Sequence, residues 1–270
     1  MARSSPASSS FYCHGEQPLG PAPMVDHLKQ GLGKHGQVRH VQEIPGREAS
    51  FSPLPPHLSQ PTRDALNAIG VTRLYSHQAE AIEAAVSGKH VVVSTSTSSG
   101  KSLCYNVPVL ESVSRPSSTS CALYIFPTKA LAQDQLKTLL EMTKGQQCDL
   151  DVSIYDGDTP MKDRAKVRDG ARLLITNPDM LHMSILPCHA QFRRILSNLE
   201  YVVIDEAHSY KGAFGCHTAL ILRRLKRICA DVYGSHPKFI FCTATLANPR
   251  EHVMELAKLD DVELVQNDGS

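Results

Sequence analysis

Six short apolar runs, "HVVVST", "CALYIFP", "VSIYDG", "RLLITN", "YVVIDE" and "KFIFCTAT", recur along a chain of 270 residues. They constrain the fold more than any other feature. Each is rich in β-branched, aromatic or leucine residues without strict alternation, so each reads as a strand buried on both faces. Between them lie helical patterns starting near Lys101, Lys129, Pro160, Gln191 and Gly212, and another follows Pro249. Strand and helix in alternation supply the crossovers that parallel pairing requires. The expected fold is α/β, a doubly wound, mostly parallel sheet in one domain spanning residues 51–270. Two further helical patterns, "RDALNAIG" and "QAEAIEAAVSG", lead into the first strand, and Gly70 and Gly88 stop them.

Residues 1–50 read differently. The opening "MARSSPASSSFYCHGEQPLGPAP" is rich in Ser, Pro and Ala, has no acid before Glu16, and lacks the apolar core of a secretory signal. A disordered tail is the expected state, with an organelle-targeting peptide as the alternative. Prolines 53, 55, 56 and 61 mark a linker-like stretch after it. No apolar run approaches the roughly 20 residues of a membrane-spanning helix, and the expectation is an intracellular protein, nuclear in a eukaryote. Eight cysteines without a CxxC pair read as buried free thiols, and 13 histidines show no zinc-ligand spacing. A net charge of +1 gives no broad basic field, so a nucleic-acid partner would have to be held by a local groove.

In such a sheet, ligands gather at the carboxyl ends of the strands, so the residues just after each run carry the functional question. The first run leads into Thr95-Ser96-Thr97-Ser98-Ser99-Gly100-Lys101-Ser102. The phosphate-loop template is G-x-x-x-x-G-K-[ST] between a strand and a helix, and Thr95 stands here in place of the first glycine. The chemistry asks for backbone N–H groups folded around an anion at a helix N-terminus. Gly100 lets the chain approach phosphates closely, Lys101 reaches the β and γ phosphates, and the Ser102 hydroxyl joins an Mg2+ shell. A capped turn with a surface lysine is the alternative when this segment is taken alone. The run "YVVIDEAH" decides against that. It ends in adjacent carboxylates, Asp205 and Glu206, which are costly to bury unless they face a metal or a partner. In phosphate-loop enzymes one such acid holds Mg2+ and the next orients or deprotonates the attacking water.

"TSSGKS" followed by "DEAH" resembles motifs I and II of the superfamily-two DExH-box helicases. The remaining segments fall in that family's order. "LYSHQAEAI" resembles its glutamine motif, which implies Gln78 on the adenine edge of ATP. "FPTKALAQDQ" resembles motif Ia and "ITNPDML" a later motif Ib segment; together they imply nucleic-acid contacts from Pro127, Thr128, Lys129, Gln133, Thr176, Asn177, Pro178 and Asp179. "CTATLANP" resembles motif III, in which Thr243, Ala244 and Thr245 would couple nucleotide state to the bound strand. His208 is either a satisfied structural histidine or, on the family reading, the link from motif II to motif III.

With "GREASFSPLP", "SGKSLCYNVPVL" and "YKGAFGCHTALILRRLKRI", the likeness narrows to the RecQ-related DNA helicases of the MrfA/YprA type and their eukaryotic counterparts, over roughly residues 36–270. It implies a first RecA-like lobe carrying ATP and Mg2+. It further implies single-stranded or tailed DNA as substrate, 3′ to 5′ movement, a role in DNA repair, and a second lobe as partner. Ser94, Ser96 and Ser98 make the loop richer in hydroxyls than is usual in that family.

Two smaller signals remain open at the level of sequence. "RRLKR", Arg223 to Arg227, reads as a solvated helix face because Leu222, Leu225 and Cys229 turn the other way. Asn177 suits a helix N-cap as well as a DNA contact, with Pro178 at the first turn. Beside the helicase lobe stands a non-enzymatic form that binds nucleotide or DNA without turnover. A small-molecule phosphoryl transferase fits less well, since no acceptor pocket or lid is evident.

Overall fold

A computed structural model describes residues 20–32, 38, 40–42, 46, 48–115, 117–144 and 150–270. The chain divides into two units, residues 1–47 and 48–270. The described part of the first contains a helix, α1 (Pro21–Leu32), within the stretch expected to be an unstructured tail. Pro21 opens it at a position that needs no N–H, and Met24 and Leu28 follow at helical spacing with their side chains exposed. The Ser-rich opening lies outside the described residues.

The second unit begins with β1 (Phe51–Ser52), which pairs antiparallel with β2 (Leu74–Tyr75) across α2 (Gln60–Ala68). The proline-rich stretch expected as a linker is packed onto the body of this unit. Leu58 is buried, and the Ser59 N–H and hydroxyl and the Thr62 hydroxyl all donate to one carboxylate oxygen of Glu111, at 2.8–2.9 Å. The Arg63 guanidinium donates to the carbonyls of Leu58, Pro55 and Pro56. These prolines stiffen a docked segment whose carbonyls already have partners.

α3 (Ser76–Val86) then leads into the main sheet. The alternation continues through β3 (Val91–Ser94), α4 (Ser102–Val113), β4 (Cys121–Ile125), α5 (Lys129–Thr143), β5 (Val152–Ile154), α6 (Met161–Gly170) and β6 (Leu173–Thr176). After β6 come the short α7 (Pro178–Met180), a π turn and a 3-10 turn, and α8 (Arg193–Ser197). β7 (Leu199–Ile204), α9 (Gly212–Arg227), β8 (Lys238–Thr243), α10 (Pro249–Ala257) and β9 (Glu263–Val265) complete the unit.

Seven strands, all parallel, lie in the order β5-β6-β4-β7-β8-β3-β9. The expected α/β fold is present, and the six runs are six of its strands. The seventh, β9, has no run of its own and closes the outer edge of β3.

Successive strand residues enter opposite cores, as the pleat demands. Val92, Leu123, Val202, Ile204, Phe239 and Phe241 face α8, α9 and α10. Val91, Val93, Tyr124, Val203, Ile240 and Cys242 face α3, α4 and α5. Both faces are apolar because both are covered, which is why the strands do not alternate in polarity.

The basic run on α9 is partly structural. Lys226 donates to the carbonyls of Ala257 and Lys258, where α10 ends and its dipole favours a cation, while Arg223 and Arg227 are exposed. Cys104, Cys121, Cys229 and Cys242 are buried free thiols as expected; Cys188 and Cys216 are free but exposed. Cys13 and Cys148 lie outside the described residues.

Candidate functional site

The order β7-β8-β3 sets three strand ends side by side, and with them the segments after Ile204, Thr243 and Ser94. The loop after β3 runs from Thr95 into α4. Gly100 has φ +73°, a backbone conformation that favours glycine, and a Cβ there would sit 2.6 Å from the Gln78 side-chain nitrogen and push that amide aside. Ser98 adopts a left-handed φ of +66° without being glycine, the kind of backbone strain that collects at functional sites. Thr95 and Ser99 are buried and hydrogen-bonded to each other at 2.7 Å, and the Ser99 hydroxyl also approaches the Ser96 carbonyl at 3.0 Å. Thr95 can replace the first glycine because its hydroxyl closes the loop from inside. Ser96, Thr97 and Ser98 are exposed along its rim. Lys101 donates to the carbonyls of Thr95 and Ser96, which holds its ammonium across the loop, and Ser102 opens α4.

Asp205 lies at the carboxyl end of β7. Its Oδ2 accepts from the Tyr105 hydroxyl at 2.9 Å and its Oδ1 from the Glu206 N–H at 2.8 Å. Burial pushes its carboxyl above the ordinary carboxylate pKa, against the pull of those two hydrogen bonds and of Lys101. A divalent cation would restore the charged form. Asp205 with the Ser102 hydroxyl offers the hard oxygen donors that Mg2+ prefers, so the residues fit that ion. Glu206 sits in a left-handed conformation, φ 50° and ψ 43°, which turns its side chain away from the strand direction. Its carboxylate meets His208 Nδ1 at 3.2 Å, and the same nitrogen is 3.4 Å from the Ala244 N–H. His208 therefore joins the acidic segment to the segment after β8. There Thr243 is fully buried with no partner for its hydroxyl among the described residues, Ala244 is half-buried and Thr245 is exposed.

Gln78 is buried. Its Oε1 accepts from the Tyr75 N–H at 2.9 Å and its Nε2 donates to Gly100 O at 3.0 Å. Expected on a base edge, its side chain also braces the phosphate loop. It lines a pocket of about 250 Å³ with Phe51, Arg73, Tyr75 and Leu103. Phe51 and Tyr75 stack at 5.0 Å, and the Arg73 guanidinium lies 4.1 Å from the Phe51 ring centre. Sequence reasoning missed this aromatic and cationic wall because Phe51 and Tyr75 meet only through the β1–β2 pairing.

The expected nucleic-acid residues separate into two groups. Pro127, Thr128, Lys129 and Gln133 follow β4, and the last three are exposed. The Thr128 hydroxyl caps α5 by accepting from the Leu131 N–H, and Lys129 Nζ pairs with Asp158 at 2.6 Å. Thr176 lies inside the sheet. It is 2% exposed, with its hydroxyl donated to Tyr155 O at 2.7 Å, because the pleat turns it into the sheet. Asn177 caps α7 by accepting from the Met180 N–H at 2.8 Å, and Pro178 is buried. Only Asp179 of that segment is exposed, and an acid does not bind a phosphate backbone.

Sequence reasoning also missed a buried polar chain. The Tyr105 hydroxyl is 3.0 Å from Gln135 Oε1 as well as touching Asp205, and Gln135 Nε2 donates to Asn106 Oδ1 at 2.9 Å. The chain runs from α5, whose first turn holds Lys129, to the acid that fits the metal.

Comparison with known proteins agrees with this arrangement. The DEAD/DEAH box helicase family model matches residues 75–253. The uncharacterized ATP-dependent helicase YprA of Bacillus subtilis is 48% identical over 84% of this chain, and the ATP-dependent helicase HRQ1 of Saccharomyces cerevisiae 42% over 92%. The chain spans only 30% and 23% of those proteins' lengths. Among solved structures, the DUF1998 helicase MrfA bound to DNA and AMPPNP superposes with a TM-score of 0.83 at 43% identity, over 90% of this chain and 34% of MrfA. With the phosphate loop, the paired acids and the segment after β8 on adjacent strand ends, and with this match across two thirds of its length, the chain belongs to the DEAD/DEAH box helicase family.

Proposed function

We infer that this chain is the ATP-binding lobe of a DNA helicase that moves 3′ to 5′ along single-stranded DNA with a second RecA-like lobe. The observation that carries the reading is Lys101 folded across the Thr95 and Ser96 carbonyls, in the loop after β3, with only β8 between that strand and the β7 that carries Asp205. The MrfA structure with DNA and AMPPNP and the relatives named ATP-dependent helicases support it. The 3′ to 5′ direction rests on the likeness of motifs alone.

The loop's N–H groups and Lys101 would bind the β and γ phosphates, and the base would lie against Tyr75 and Arg73 beside Gln78. Ser102 and Asp205 would hold Mg2+, which supplies charge neutralisation at the transferred phosphoryl group. Glu206 accepts the proton of the attacking water, and its left-handed backbone fixes where that carboxylate lies. His208 reports the state of Glu206 to Ala244, and the exposed residues Lys129 and Gln133 touch the DNA backbone.

The test is ATP turnover and strand displacement by a protein carrying this lobe and the second, on duplexes with a 3′ or a 5′ tail. DNA-stimulated turnover with unwinding of the 3′-tailed substrate alone is expected. Preference for the 5′ tail or for RNA would refute the polarity or the substrate.

A further inference from the structure

The segment that follows β9 returns to the phosphate loop. Asp268 Oδ2 accepts from the Ser96 N–H at 3.2 Å and from the Ser96 hydroxyl. Its other oxygen accepts from the Ser270 N–H and hydroxyl and lies 3.9 Å from His77 Nδ1. The next residue is held as firmly. The Gly269 N–H donates to His77 Nδ1 at 3.2 Å, and its carbonyl accepts from the Ser50 N–H at 2.8 Å. A Cβ at Gly269 would collide with the Ser76 hydroxyl and stand 3.0 Å from Ser50 O, so only glycine lets the strap lie this close.

His77 completes the clamp from the other side. With Nδ1 accepting from Gly269, the ring proton is on Nε2, which donates to Ser99 O at 3.0 Å. The ring is wholly buried, and burial lowers its pKa, in keeping with the neutral tautomer those partners require. Two residues of the phosphate loop, Ser96 and Ser99, are thus tied to residues 268 and 269, one directly and one through His77. The nucleotide chemistry described above uses neither the Asp268 carboxylate, nor Gly269, nor the His77 ring.

We propose that Asp268 is a positioning residue of the phosphate loop: it holds Ser96 in the geometry that receives nucleotide phosphates and links the loop to the strap after β9. The proposal rests on the reading of residues 95–102 as a phosphate loop. Its logic runs against simple charge. A carboxylate near bound phosphates repels them, so an Asp268 without a positioning role would weaken nucleotide binding, and its removal would tighten it. As a positioning group, its removal frees the Ser96 N–H and hydroxyl together, and the loop must then be ordered at the moment of binding.

Calorimetric titration with AMPPNP and Mg2+ distinguishes the two. Asp268→Ala is expected to bind about tenfold more weakly, the equivalent of one net hydrogen bond. Asp268→Asn, which keeps an acceptor for Ser96 without the charge, is expected within about twofold of wild type. Ser96→Ala is a milder variant on the exposed rim, useful should Asp268→Ala not fold. It is expected to weaken binding about threefold in wild type and to add nothing in the Asp268→Ala background. Equal or tighter binding by a folded Asp268→Ala, failure of Asp268→Asn to rescue, or unchanged binding by Ser96→Ala overturns the proposal. If wild type itself does not bind AMPPNP, the nucleotide reading falls and takes the proposal with it.

Discussion

His208 Nδ1 stands 3.2 Å from the Glu206 carboxylate, and this one ring nitrogen is also 3.4 Å from the Ala244 N–H as its acceptor. It cannot serve both at once. Carrying a proton, it donates to Glu206 and leaves the Ala244 N–H alone; without one, it accepts from Ala244 and leaves the carboxylate free. The acid assigned to the attacking water and the segment assigned to coupling therefore compete for a single atom.

Separate consequences follow for the two side chains. Glu206→Gln is expected to retain nucleotide binding and to lose turnover by about 10²- to 10⁴-fold in a protein with both lobes, because only basicity is removed. His208→Ala is expected to keep basal turnover while the ratio of rates with and without DNA falls toward one. Steady-state ATPase assays with and without a single-stranded oligonucleotide check both. An unchanged kcat in Glu206→Gln would place the base elsewhere.

Thr243 carries a fully buried hydroxyl with no hydrogen-bond partner among the described residues. Such a group costs stability, and an isosteric methyl removes the cost. Thr243→Val is expected to raise the unfolding free energy by about 1 kcal/mol and to abolish stimulation by DNA. Denaturant melts and ATPase assays on the same preparation measure the two effects. A loss of stability would show that the hydroxyl has a structural partner.

The fold was legible wherever a strand is buried on both faces, since an unbroken apolar run then has one reading. β9 was not, because "ELV" is three residues long and opens on an acid. It forms because Val91–Val93 offer an open parallel edge to Glu263–Val265. The site was legible where chemistry sits at a strand's end, as in Lys101 and Asp205. The burial of Thr176 was not legible, because the pleat decides which of two adjacent residues faces solvent, and here it turned the threonine inward. Tyr105, His77 and Asp268 carried no signal at all. Asp205 lies 100 residues from Tyr105, Ser96 lies 172 from Asp268, and His77 meets Ser99 on another element, so only the folded chain brings these pairs together.

Lys129 and Asp158 form an exposed pair that screens the lysine from any phosphate. Such pairs contribute little to stability. Asp158→Ala is therefore expected to leave the melting temperature unchanged and to tighten single-stranded DNA binding severalfold at low salt. Lys129→Ala is expected to weaken it and to flatten the salt dependence by about one counterion. Fluorescence anisotropy across a salt series decides. Identical slopes for wild type and Lys129→Ala would remove this lysine from the DNA path.

His90 Nδ1 accepts from the Phe239 N–H at 2.9 Å, and burial, with Lys238 and Lys226 nearby, lowers its pKa from 6.5 to about 4. The folded protein keeps this ring neutral while the unfolded chain protonates it. Stability is therefore unaffected above pH 6.5 and falls between 6.5 and about 4, by up to about 1.4 kcal/mol per pH unit. Denaturant melts at pH 7.5 and 4.5 on wild type and His90→Asn are expected to show a shallower acid loss in the variant. Parallel losses would contradict the assignment.

The central claim is that residues 95–102, with Asp205 behind them, form a nucleotide site whose cation is Lys101. Calorimetric titration of wild type and Lys101→Ala with AMPPNP and Mg2+, with circular dichroism on the same samples, tests it most directly. Wild type is expected to bind, and the variant to keep its spectrum while losing about 10- to 100-fold in affinity, the range of a charge-assisted contact to phosphate. Equal affinity in a folded Lys101→Ala would contradict the account.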